Sequence, residues 1–285
     1  MAERVVRAGD VRLWSEDLGD PADPPLLLVM GANASAAAWP DAFVELLVRG
    51  GCRVVRYDHR DTGRSTAVPA GEADYDLGDL TRDAVAVLDA HDIGRAHVVG
   101  LSMGGLIGQL LAVDHPDRLR TLTLALTGAL DMGSTEEPRS DQGERLERLI
   151  ALTEPGADEE AELTRRVALW RELHGDVLPF DAAEYRRLEE GVIAHAGTST
   201  PSTGHVRLGA VAVPRDGDDL RRVTTPTLVV QGTEDPFYPP GFGRHLAGLL
   251  PDARLLEVPG LGHSLPAAVH RLVADEILAH VRSHP

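Results

Sequence analysis

Lysine is absent from this 285-residue chain: its 28 basic side chains are all arginine, against 45 Asp and Glu, for a formal charge of −17. That absence excludes mechanisms built on an ε-amine, Schiff-base and Ser-Lys chemistry among them. A strongly acidic chain with no basic run is also a poor partner for phosphate backbones or anionic lipid, so neither nucleic-acid nor membrane-surface binding is expected. Cysteine is nearly absent: Cys52 stands alone and can close no intramolecular disulfide. Long apolar runs are missing as well. The longest early one, Leu26 to Met30, is far too short for a membrane span or a signal-peptide core, so a cytoplasmic protein is expected. There is no repeat at periods of about 20 to 50 residues. There is also no G-x-x-x-x-G-K-S/T, no H-E-x-x-H and no G-x-G-x-x-G opening a helix after the first strand, so no metal and no nucleotide cofactor is expected.

What the chain does have is short apolar runs alternating with helical spacing. Leu26 to Met30, Arg53 to Tyr57, Ala96 to Gly100, Leu122 to Leu126, Pro226 to Gly232 and Arg254 to Val258 read as strands. Helices are predicted over Trp39 to Val48, Leu80 to Leu88 with Asp79 as N-cap, Gly104 to Val113, His245 to Leu250 and Val269 to Val281. Continuous apolar strands between helices argue a mostly parallel α/β sheet covered on both faces. From about Asp131 to Asp219 strand signals vanish. Two helical stripes replace them, Leu163, Val167, Trp170 and Leu173, then Tyr185, Leu188 and Val192. The pattern divides the chain into a sheet core, residues 1–130 and 220–285, and an inserted helical cap, 131–219. An independent domain starting near 131 fits less well, because strands resume after the block.

The sharpest motif is Gly100-Leu101-Ser102-Met103-Gly104-Gly105, a G-x-S-x-G set between a strand and a helix. A nucleophilic serine needs this turn, and the helix N-terminus behind it offers free N–H groups to developing negative charge. Its base must be one of twelve histidines. His263, in a glycine-rich loop just past a strand, is where a parallel sheet delivers side chains to its carboxyl edge. His59 sits in a compact polar turn, and His91, His115, His245 and His280 fall at helix ends or on helix surfaces. Asp235 leads the candidates for the orienting acid, ahead of Asp131 and Glu234. The order serine, acid, histidine along the chain matches that of this sheet type. Oxyanion donors are expected from the Met103 amide and, in the Gly31-Ala32-Asn33 loop, the Ala32 amide. Asn33 is a candidate substrate contact or loop stabiliser. In the cap Trp170, Leu173, Phe180 and Tyr185 are candidate contacts for an apolar substrate.

The chain resembles the α/β-hydrolase superfamily over nearly its whole length, and within it the aclacinomycin methylesterases of anthracycline biosynthesis. The resemblance is carried by Leu26-Leu27-Leu28-Val29-Met30-Gly31, by Arg56-Tyr57-Asp58-His59-Arg60-Asp61-Thr62-Gly63-Arg64-Ser65, and by Arg95 through Gly104. It departs at Ala32, where those esterases are glycine-rich, and at Gly105-Leu106. It implies a serine carboxylesterase with Ser102 as nucleophile, Asp235 and His263 as partners, Ala32 and Met103 as oxyanion donors, no cofactor, and a methyl ester of an aromatic polyketide as substrate. A lactonase or thioesterase of polyketide metabolism, or a non-catalytic polyketide-binding protein, remains the alternative. The negative charge suits a neutral or cationic small molecule, such as an anthracycline bearing an aminosugar.

Overall fold

The computed structural model describes residues 2–68, 74–136, 142–152, 154–205 and 215–285. The chain opens with a hairpin that the apolar runs do not announce, β1 (Ala2–Ala8) and β2 (Val11–Leu18), paired antiparallel around Gly9-Asp10. Gly9 takes φ +60°, as the first loop residue of a two-residue hairpin often does. The predicted runs then supply β3 (Pro25–Val29), β4 (Arg53–Tyr57), β5 (Ala96–Leu101), β6 (Leu119–Ala125), β7 (Thr227–Gly232) and β8 (Ala253–Val258). The sheet order is β1-β2-β4-β3-β5-β6-β7-β8. The pairings from β4 to β8 are all parallel, and β2 joins β4 antiparallel.

The helices in chain order are α1 (Asp41–Arg49), α2 (Leu77–Ala90), α3 (Met103–Asp114), α4 (Gln142–Ala151), α5 (Glu159–His174), α6 (Ala182–Ala196), α7 (Gly217–Leu220), α8 (Pro240–Leu249) and α9 (Ala267–Arg282). Side chains alternate across a strand, so a continuous apolar strand feeds two cores at once. Leu27 and Val29 pack with α2, α3 and α8 on one face, and Leu26 and Leu28 pack with α1 and α9 on the other. Each fully buried leucine contributes about 1.5–3 kcal/mol through burial.

Local expectations change at three helices. Helix α8 begins at Pro240, ahead of the predicted His245. Helix α2 starts earlier than its apolar spacing suggested, with Asp76 and not Asp79 as N-cap. The Asp76 carboxylate accepts the Asp79 N–H and the Asp79 carboxylate accepts the Asp76 N–H, a reciprocal box that fixes the first turn. In α6 the buried stripe is Tyr185, Glu189 and Ile193, because Glu189 has partners inside the helical block. Its carboxylate accepts from Arg166 at 2.9 Å and from Trp170 Nε1–H at 2.6 Å. Helices α4, α5 and α6 lie between β6 and β7 in the chain. Helix α7, whose first residues fall within 131–219, packs instead against α3 and α8 of the sheet layer.

Candidate active site

The strand order turns back at β3, which has β4 on one side and β5 on the other. In open α/β sheets ligands bind at the carboxyl ends of strands at such a switch point. Ser102 sits there, between β5 and α3, at φ 56° and ψ −119°. Few non-glycine residues hold such a conformation unless their surroundings impose it. Its N–H donates to the Ala125 carbonyl at 2.9 Å, which ties the turn to β6.

The glycines of the motif do not carry this strain, since neither Gly100 nor Gly104 has positive φ. They are needed for close approach. A Cβ on Gly100 would overlap the Gly104 carbonyl, and one on Gly104 would overlap the Val29 carbonyl, where α3 presses onto β3. Gly104→Ala should therefore lower the unfolding free energy by about 3 kcal/mol. The urea midpoint reports it, and a variant as stable as the parent would refute this account of the glycine.

His263 lies past β8 in a loop whose turn is made by Gly260 at φ +76°. Its backbone N–H donates to the Leu173 carbonyl at 2.6 Å, so the end of α5 holds the loop. Its Nε2 is 3.0 Å from Ser102 Oγ and its Nδ1 is 2.8 Å from Asp235 Oδ2. Asp235, past β7, is 1% exposed. Its other oxygen, Oδ1, accepts the Phe237 and Tyr238 N–H groups, each at 2.9 Å. The carboxylate is thus oriented before the imidazole meets it. The rival acid Asp131 turns away: both its oxygens lie 3.0 Å from Nε2 of His245 on α8. Burial, with the Asp235 charge nearby, pushes the Tyr238 phenol up to about 12, so this ring beside His263 stays neutral.

Three other histidines named from the sequence have structural partners. His59 is fully buried and its Nε2–H donates to the Met30 carbonyl at 2.9 Å. His91 and His280 fall at helix ends, as expected, but both are buried. His91 Nε2 lies 2.9 Å from Ser15 Oγ, and His280 Nε2–H donates to the Pro226 carbonyl at 3.1 Å. Each imidazole gains a hydrogen bond that solvent would otherwise supply.

Met103 opens α3, so its amide has no carbonyl one turn back within the helix. Gly31 lies against Ser102: a Cβ there would sit 3.3 Å from Ser102 Cβ. Ala32 follows on the exposed side of the loop. Asn33 points elsewhere than expected of a substrate contact, its Oδ1 accepting the His205 N–H at 3.1 Å.

Trp170 and Tyr185 line a cavity of about 30 Å³ together with Met30, Trp39, Leu101 and His263. The Tyr185 hydroxyl donates to Ser264 Oγ at 2.8 Å and lies 2.8 Å from His174 Nδ1, and burial raises this phenol's pKa. Its ring stacks between Trp170 and Phe180 at centroid distances of 5.2 and 5.0 Å. Phe180 and Leu173 do not line this cavity; Phe180 stands behind Tyr185. The Leu173 carbonyl, the Tyr185–Ser264 bond and the Glu189–Trp170 bond all shape the site, and none leaves a local sequence signal, because each joins distant elements. Among the described residues no group of three or more His, Cys, Asp or Glu is placed to hold a metal ion.

Residues 24–266 match the family model described as alpha/beta hydrolase fold. The chain belongs to the α/β-hydrolase family. This α/β hydrolase is 46% identical to rhodomycin D methylesterase DnrP of Streptomyces peucetius, over 99% of each chain. It is 45% identical to rhodomycin D methylesterase DauP of Streptomyces sp. (strain C5), again over 99% of each. Among solved structures it is similar to a hydrolase from Pseudomonas aeruginosa PA01, at 27% identity and TM-score 0.67, covering 98% of this chain and 97% of that one. The expected fold, a mostly parallel sheet with helices on both faces, is borne out, and the N-terminal hairpin brings the sheet to eight strands.

Proposed function

We propose that this α/β hydrolase is a carboxylic ester hydrolase that demethylates the methyl ester of an anthracycline-type aromatic polyketide. The observation that carries the reaction is the continuous line Ser102 Oγ, His263 Nε2, His263 Nδ1, Asp235 Oδ2, with links of 3.0 and 2.8 Å. Full-length similarity to two rhodomycin D methylesterases supports the substrate class.

His263 takes the Ser102 proton as Oγ attacks the ester carbonyl, and the Met103 and Ala32 amides hold the resulting oxyanion. The C–O bond to the alcohol breaks, His263 hands its proton to the leaving methoxide, and methanol departs. Water, deprotonated by His263, then attacks the acyl-enzyme, and the acid leaves as Ser102 regains its proton. Asp235 keeps the imidazole in the tautomer that accepts at Nε2 and stabilises its charged form.

Helices α4 to α6 act as the cap over the sheet core. The recess between α5, α6 and Leu101 holds about 30 Å³, so a fused ring system enters only as α5 and α6 draw back from the His263 loop. Trp170, which lines the recess and backs onto Tyr185, then offers flat apolar surface to the rings. No described helix is long and apolar enough to cross a membrane, and a cytoplasmic enzyme fits this reading. The test is incubation with an anthracycline methyl ester followed by mass spectrometry. The expected product is the free acid, lighter by one CH2. Turnover of a lactone or thioester analogue with no demethylation would overturn the methylesterase assignment and leave the serine mechanism standing.

A further inference from the structure

The Ala32 amide lies in a loop whose two neighbouring peptide units are each held by an imidazole. On one side the Met30 carbonyl accepts from His59 Nε2–H at 2.9 Å. On the other, the Asn33 N–H donates to His205 Nδ1 at 2.8 Å, and Asn33 Oδ1 accepts the His205 N–H at 3.1 Å. Peptide units are planar. With the 30–31 and 32–33 units fixed, the unit between them, which carries the Ala32 N–H, is left with little freedom to swing.

The two rings also brace one another, edge to face with centroids 5.7 Å apart. His205 Nε2–H donates to the Arg60 carbonyl at 2.9 Å, so the backbone next to His59 fixes the His205 tautomer with Nδ1 as acceptor. Burial, with His59 facing it, lowers the His205 imidazole to about 3, and burial lowers His59 as well, so both rings are neutral. Asn33 sits at φ 58°, a left-handed conformation that asparagine tolerates and does not prefer. The bond to His205 stabilises that conformer. Farther along, Asp58 Oδ1 accepts the Ala36 N–H at 2.8 Å and pins the end of the loop.

We propose that His205 is a positioning residue for catalysis: through Asn33, and opposite His59 at Met30, it aims the Ala32 amide at the oxyanion. This rests on the reading of Ser102 as nucleophile and Ala32 as oxyanion donor. His205 lies in the segment between α6 and β7, so the chain closes its oxyanion loop with a residue 172 positions from Asn33.

Three substitutions separate the roles of the ring nitrogens. His205→Asn keeps an acceptor near the Nδ1 position, His205→Gln keeps a donor near Nε2 without that acceptor, and His205→Leu keeps neither. With p-nitrophenyl acetate, kcat should fall about 10- to 100-fold in the Gln and Leu variants, with KM within about twofold of the parent. The Asn variant should stay within about threefold of the parent in both. Affinity for phenylboronic acid, which adds to a serine hydroxyl as a tetrahedral adduct, should fall in step with kcat. Parental kcat in the Leu variant would overturn the proposal. So would equal losses in all three that follow their urea midpoints, as a merely structural role predicts. Ser102→Ala measured alongside keeps the readings apart: turnover surviving there would sink the serine mechanism, whereas a dead Ser102→Ala beside an unaffected His205→Leu would sink only the role of His205.

Discussion

Ser102→Ala is expected to lower kcat/KM for ester hydrolysis by about 10⁴-fold or more while leaving the fold unchanged. The magnitude follows from what the hydroxyl does. Without Oγ no acyl-enzyme forms, and what remains is water attacking an ester held beside the Met103 and Ala32 amides. The fold should survive because the elbow is held by its backbone. The Ser102 N–H bonds to Ala125, the Ser102 carbonyl accepts the Gly105 N–H at 2.8 Å, and the glycine contacts involve no hydroxyl. A smaller side chain at φ 56° adds no new strain. Steady-state kinetics with a matching urea transition checks both halves; retained turnover would remove Ser102 from the chemistry.

Asp235→Asn should cost nearly as much, about 10³- to 10⁴-fold in kcat/KM, and for a reason specific to this site. Oδ1 of Asp235 already accepts two backbone amides, from Phe237 and Tyr238. An asparagine keeps its carbonyl oxygen on those donors, which turns its NH2 group toward His263 Nδ1. The ring must then accept there and carry its proton on Nε2, where it can no longer take the proton of Ser102. Asp131→Asn is the informative control, because the Asp131 carboxylate is committed to His245. Its kcat/KM should stay within about threefold of the parent. A larger loss at Asp131 than at Asp235 would reverse the assignment of the acid.

Much of this was legible in the sequence wherever a strand is buried on both faces. Such strands are largely apolar, so Ala96 to Gly100 and Pro226 to Gly232 announce themselves, and the loops beyond them locate Ser102 and Asp235; His263 follows β8, a less buried strand at the sheet edge. The hairpin of β1 and β2 gave no such signal. Most of β1 is exposed, and β2 buries Ser15 and Glu16 beside Leu13 and Trp14. Glu16 is held there by Arg56 at 2.7 Å, a partner on another strand. The same cause hid the buried face of α6, where Glu189 takes an apolar-looking position because Arg166 and Trp170 meet it. Asn33 and His205 make two hydrogen bonds across most of the chain, and nothing local to either residue foretells them. Periodicity reports burial of apolar groups; it is blind to polar groups buried in pairs.

The proposed chemistry rests on a single nucleophile, and covalent labelling tests that most directly. Treatment with a fluorophosphonate, followed by mass spectrometry of the digested chain, should place the adduct on the peptide containing Ser102, with ester hydrolysis lost in proportion to labelling. Ser102→Ala should take up no label. Full labelling at another residue, or undiminished hydrolysis by the labelled protein, would contradict the mechanism.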